Sequence, residues 1–395
     1  MRSVKSIGNF IVFPFMSYFS DIYHCSMSAV PVQLVSLENR RRISGIVDVL
    51  PKEFGLRTFG FECLLNVESA DADFFVSTDV SLDGPAIMMN TCGDGSEFSD
   101  SGFECVRKFG AFWKRVLVQE NNTMSPLVDD VWLEYDLRAN PASLSAPGIF
   151  YWTHSNEEMD GDIQQRDLLI NRISQAYLAL TKTNLPTSLL HHLKQCFVVE
   201  RNDKYSIKSV HIGMMISRKS SGLRLVINFP SPEAILSFLR GAGWPGSICS
   251  LSPFVEEWYE MADRVNLNID ISEKGLGMKL GFELSFCNRR SPAREPRWAF
   301  LLDYLVRNKM CCPSKMEGLM TYSGYQEYPA IKGIIAESSE TKAIKDACRM
   351  FLIRKIFHIK VVYDEVPAPV LIAKGYFGVI SYFRRGEIYK TAASG

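Results

Sequence analysis

Along several stretches of the chain, apolar and polar positions alternate with a period of two. Between these stretches the apolar positions recur every three to four residues. The first pattern predicts half-buried strands and the second amphipathic helices. RTFGFECLL (57–65) and ADFFVSTDV (72–80) form a first strand pair. Helices are predicted before it over 35–50 and after it over 103–120. The same order returns with DVWLEYDL (130–137) and GIFYWTH (148–154), then with 207–219 and LRLVINF (223–229). A fourth pair, RVNLNIDIS (264–272) and GMKLGFELSF (277–286), flanks the tight-turn signal Glu273-Lys274-Gly275. The last unit reads as a helix over ETKAIKDACRMFLIRKI (340–356), then strands HIKVVYDE (358–365) and LIAKGYFGVISYF (371–383).

Five strand pairs bracketed by helices, with no linker rich in Pro, Gly or Ser between them, predict an α+β fold. Ten antiparallel strands approach the limit of an open twisted sheet, so closure into a ten-stranded barrel with helices outside is the expected architecture. The alternative is open antiparallel sheets in two α+β domains. Residues 31–395 read as a single domain of five units. Residues 1–30 read as an N-terminal extension, dispensable or, in the second reading, a secretory signal. Asn9, Ser17, Asp21 and His24 interrupt its apolar run, and no segment reaches the roughly 20 apolar residues of a membrane helix.

Alternation also assigns faces. One side of the strands carries Glu62, Trp132, Glu134, His211, Arg224, Asn268, Asp270, Lys279, Glu283, His358, Lys360, Lys374 and Tyr376. On an open sheet these residues face water. In a closed barrel they line a lumen wide enough for a ligand. There Arg224, Lys279, Lys360 and Lys374, with Tyr376, are the candidates to hold an anion such as a diphosphate through charge-assisted hydrogen bonds. Glu62 and Glu134 are the candidate catalytic carboxylates, able to take a proton or orient an N–H.

Composition narrows the partners. The 395 residues carry 44 Lys and Arg against 44 Asp and Glu, a balance that argues against a nucleic-acid binder. The ten cysteines include no C-x-x-C, and the six histidines form no zinc spacing, which predicts reduced thiols and a cytoplasmic protein without a protein-held metal. Asp129-Asp130 lacks the D-D-x-x-D pattern and reads as a turn leading into a strand. Glu38-Asn39-Arg40-Arg41-Arg42 reads as a solvated helix face. Trp258, Trp298 and Phe300 read as helical core.

Two local patterns go further. Lys374-Gly375-Tyr376-Phe377 resembles the K-x-Y-F strand of the ABBA-type prenyltransferases, the antiparallel prenyltransferase-barrel family. Trp132 to Leu137 (WLEYDL) resembles the strand ending in aromatic-Asp-Leu of its fungal indole branch. With the five-unit organisation over roughly 36–390, the resemblance implies a transferase-type tailoring enzyme of secondary metabolism. It would move a prenyl group from an allylic diphosphate to an aromatic or peptide acceptor, with Mg²⁺ as the one cofactor to consider. The other strand pairs show no second K-x-Y. The competing reading is a non-catalytic binding or assembly protein that docks a peptide or partner on its polar sheet face.

Overall fold

A computed structural model of the chain describes residues 19–80, 83–91, 100–120, 128–138, 146–153, 163–197, 209–216, 222–287, 292, 294–328, 348–365 and 368–385. Strands β1 (Thr58–Leu64), β2 (Ala72–Asp79), β3 (Val128–Tyr135) and β4 (Gly148–Thr153) follow one another in space as in sequence. They continue into β5 (Ser209–Met214), β6 (Leu223–Asn228), β7 (Arg264–Ser272) and β8 (Gly275–Ser285). Every pairing is antiparallel. After β9 (Gly324–Tyr328), strand β10 (Cys348–Glu365) pairs with β8, and β11 (Pro369–Arg385) pairs with both β10 and β1. That double pairing closes a ten-stranded barrel. Strand β9 stays outside it, against residues 350–354 of β10.

Helices lie between the hairpins: α1 (Phe19–Met27), α2 (Leu37–Val49), α3 (Gly84–Met89), α4 (Asp100–Glu120) and α5 (Ile163–Thr181). Then come α6 (Thr187–Phe197), α7 (Pro232–Gly241), α8 (Ile248–Met261), α9 (Arg297–Arg307) and α10 (Pro313–Tyr322). Their apolar faces meet the outward side chains of the strands, such as Phe59, Phe61, Leu133, Ile212, Leu267, Phe282 and Phe377, in one continuous core. Local signals set the helix starts. The Ser36, Ser231 and Ser247 hydroxyls accept from the backbone N–H three residues on, satisfying donors the first turn leaves open. Gly275, at φ +106°, makes the β7–β8 turn that other residues resist. Among the described residues no helix is long and apolar enough to cross a membrane.

Four expectations need correction. From Cys348 the predicted last helix is strand β10, since Met350, Leu352 and Ile356 alternate into the core under the helices and the segment pairs along both edges; 340–347 lie outside the described residues. The N-terminal stretch is structural from Phe19 onward: Phe19, Ile22 and Tyr23 are buried, and Phe19 packs edge-on against Phe59 at 5.4 Å. The charged run on α2 is not simply solvated. Asn39 is buried and Arg40 donates to the carbonyls of Met27, Val30 and Val35, tying the α1–α2 connection together. Trp258 and Trp298 are core, but Phe300 on α9 is 70% exposed.

Candidate functional site in the barrel lumen

Register brings the inward side chains of β1, β2, β10 and β11 together. Glu62 stands opposite Tyr376 on one side and Asp73 on the other, while His358 and Lys360 face Tyr376 and Lys374. Glu62 is the hub. Its Oε1 accepts from Lys374 Nζ at 2.7 Å and from Arg138 Nη2 at 2.5 Å, and its Oε2 accepts from the Tyr376 hydroxyl. Arg138 also donates from Nε to Asp73 Oδ2 at 2.8 Å, and its backbone N–H donates to Asp73 Oδ1 at 3.0 Å. Burial alone would raise the Glu62 pKa. The charges of Lys374, Arg138 and Lys360 outweigh it and hold the carboxyl far below its usual range. Burial, reinforced by the Glu62 charge, pushes the Tyr376 hydroxyl well above its ordinary value, so it remains a donor.

A second polar group lies alongside. Glu283 accepts from Asn268 Nδ2 at 2.9 Å and Asn266 Nδ2 at 3.2 Å, with His358 Nε2 at 3.8 Å. Against its burial, His358 and Lys360 pull the carboxyl down to about 2. Lys360, itself buried, donates to Asn268 Oδ1 at 2.5 Å. Burial first, then the Arg224 charge, lowers its pKa to about 8. The His358 ring stacks on Tyr376 with centroids 4.2 Å apart.

Glu134 differs from both. It sits on β3 opposite Phe75 and Gly148, and no described side chain bonds to it. Loss of solvent inside the barrel, and then repulsion from Glu62, raise its pKa to about 7 despite the pull of Lys360 and Arg224. A carboxyl poised there exchanges protons readily near neutral pH.

Around these groups Phe75, Tyr376 and Phe357 form an aromatic cluster separate from the outer core, joined by Trp132 and Ile380. Phe75 lies 5.6 Å from Trp132, 5.9 Å from Phe357 and 6.0 Å from Tyr376, between ring centroids. Gly60 and Gly378, partners in register, make room: a Cβ on Gly60 would meet Phe75 at 2.5 Å, and one on Gly378 would meet Phe357 at 2.6 Å. An irregularity in β10 between Ile356 and His358 turns both Phe357 and His358 inward.

Of the residues chosen from sequence, Glu62, Lys374, Tyr376 and Lys360 share one cluster, and Glu134 lies within its field. Arg224 stands nearer the rim in a two-pronged pair with Asp270, 2.7 and 3.0 Å. Lys279 does not join them: 69% exposed, it pairs at the rim with Asp364 at 2.8 Å. Sequence reasoning missed Asp73, Phe75 and Arg138. Alternation in ADFFVSTDV placed the first two on the Glu62 face. Arg138 follows the end of β3, where no periodicity reaches. Among the described residues no group of His, Cys, Asp and Glu could hold a metal ion, so no residues are assigned to Mg²⁺.

Ten antiparallel strands close around a polar lumen, with the described helices on the outside. The barrel resembles that of the ABBA-type prenyltransferases. Solved structures that match the chain include AnaPT from Neosartorya fischeri, 10% identical, with a TM-score of 0.47 and 91% of this chain and 92% of that chain covered. No family model matches the sequence, and no curated protein does.

Proposed function

We propose that the prenyltransferase-like barrel is a transferase that takes an allylic diphosphate and an aromatic or peptide acceptor into its lumen. The observation that carries this reading is the convergence of Lys360, Lys374 and Tyr376, with Arg224 at the rim, beside the aromatic cluster of a closed barrel. In the proposed reaction the bond from the allylic carbon to the diphosphate oxygen breaks, and the diphosphate keeps the electron pair. Lys374, Lys360, Arg224 and the Tyr376 hydroxyl would stabilise that departing charge. The ring faces of Phe75 and Trp132 would stabilise the allylic cation. The acceptor carbon forms the new bond, and the proton it loses passes to Glu134, whose pKa of about 7 suits a base at neutral pH. Glu62 is tied to three donors, so its role in this scheme is to position Lys374 and Tyr376. Any Mg²⁺ would arrive on the diphosphate. Eight cysteines, from Cys25 to Cys312, are free thiols, which accords with a reducing compartment such as the cytoplasm.

One observation favours the second reading, a non-catalytic binding protein. Each of these cations already has a carboxylate or amide partner, so a diphosphate must displace Glu62 from Lys374 and Asp270 from Arg224. Thermal-shift titration with dimethylallyl, geranyl and farnesyl diphosphate, with and without Mg²⁺, separates the two. Stabilisation that disappears in Lys374→Ala and Lys360→Met supports the transferase. No shift with any diphosphate leaves only the binding reading.

A further inference from the structure

Outside the lumen, the start of α2, the β1–β2 turn and the end of β3 enclose a cleft of about 340 Å³. That volume lies at the small end of the roughly 300–1,000 Å³ typical of ligand pockets. Buried Asn39 braces its wall. Asn39 is 1% exposed; its Oδ1 accepts from the Ala72 N–H at 3.0 Å, and its Nδ2 has no acceptor.

Two arginines line the same cleft. Arg42 spends one N–H on the Leu137 carbonyl at 2.8 Å, and its Nε and Nη1 make no hydrogen bond among the described residues. Arg138 turns its Nε and Nη2 toward Asp73 and Glu62, and its Nη1 has no bond among the described residues. Glu38 and Asp71 line the same cleft, and Leu64, Val67 and Leu137 add apolar side chains. Paired charges of both signs, in a space this small, match a molecule that carries both an ammonium and a carboxylate.

We infer that this cleft is a binding site for a small zwitterion with an apolar side chain, a free amino acid or dipeptide. Its carboxylate takes the open donors of Arg42 and Arg138, its ammonium lies between Glu38 and Asp71, and its side chain rests on Leu64 and Val67. The inference is independent of what the lumen binds.

Isothermal titration of the full chain with L-phenylalanine tests it, beside 3-phenylpropionate, which lacks the ammonium, and phenethylamine, which lacks the carboxylate. The expected result is saturable binding of phenylalanine, with both analogues at least about tenfold weaker. Arg42→Gln and Glu38→Gln should each weaken phenylalanine by about tenfold or more, and Glu38→Gln should leave the thermal midpoint unchanged, since Glu38 is exposed. Absence of saturable binding, equal affinity for the analogues, or affinity that survives both substitutions would overturn it. So would a loss caused by Lys360→Met and not by Arg42→Gln, because the ligand would then sit in the lumen.

Discussion

Glu62 and Glu134 point into the same lumen from β1 and β3, yet their surroundings drive them to opposite states. Glu62 is wrapped by Lys374, Arg138 and Tyr376 and stays ionised far into acid. Glu134 has no such partners and holds its proton up to about pH 7. Burial is common to both, so burial does not decide the outcome. The count of donors within reach does. One carboxylate is fixed as part of the scaffold, while the other is left free to exchange a proton.

The contrast breaks most severely at its anchored end. Glu62→Ala leaves Lys374, Arg138 and Tyr376 facing one another without their shared acceptor, and should cost about 3–5 kcal/mol in denaturant unfolding. If the proposed transfer takes place, Glu134→Gln should act on rate and spare the fold, slowing that step by about 100-fold or more in single-turnover assays. Tyr376→Phe removes a hydrogen bond to a charged acceptor and should cost about 1.5–3 kcal/mol by the same unfolding measurement. Asp270→Asn, at a rim pair whose aspartate is 54% exposed, should cost under about 1 kcal/mol.

The pH dependence sharpens the same comparison. Glu134 has a folded pKa raised above its unfolded value, so the folded state binds the extra proton between about 4.5 and about 7. Its contribution to stability is complete at low pH and is lost as the pH rises through 7. Glu62 has a depressed pKa, so its contribution is present above the unfolded carboxylate range and is lost as the pH falls below it. Thermal midpoints measured from pH 4.5 to 8 should therefore flatten in Glu134→Gln relative to the parent chain.

Much of this arrangement was legible from alternation alone. Strands with sharp period-two patterns, such as NLNIDIS and GMKLGFELSF, disclosed both faces, because one side packs on helices and the other lines the lumen. Closure followed from ten strands with helices on one side. The segment 348–356 misled because CRMFLIRKI carries an apolar spacing that suits either structure; pairing with β9 and β11, both distant in sequence, decides it for strand. Arg138 was invisible for a related reason. It acts from a position beyond its strand, joining Glu62 and Asp73 from 76 and 65 residues away, and no local pattern encodes that reach. Alternation likewise gave Glu62 and Glu134 the same standing. Only the donors gathered around one of them separate their roles.

The most direct test is a carboxyl-carbon NMR titration of the chain labelled at glutamate Cδ, with Glu134→Gln used to assign the Glu134 resonance. A signal titrating near pH 7 that vanishes in that variant is the predicted result. A Glu134 signal titrating in the ordinary carboxylate range, near 4.5, would contradict the opposed states of the two glutamates and remove the proposed base.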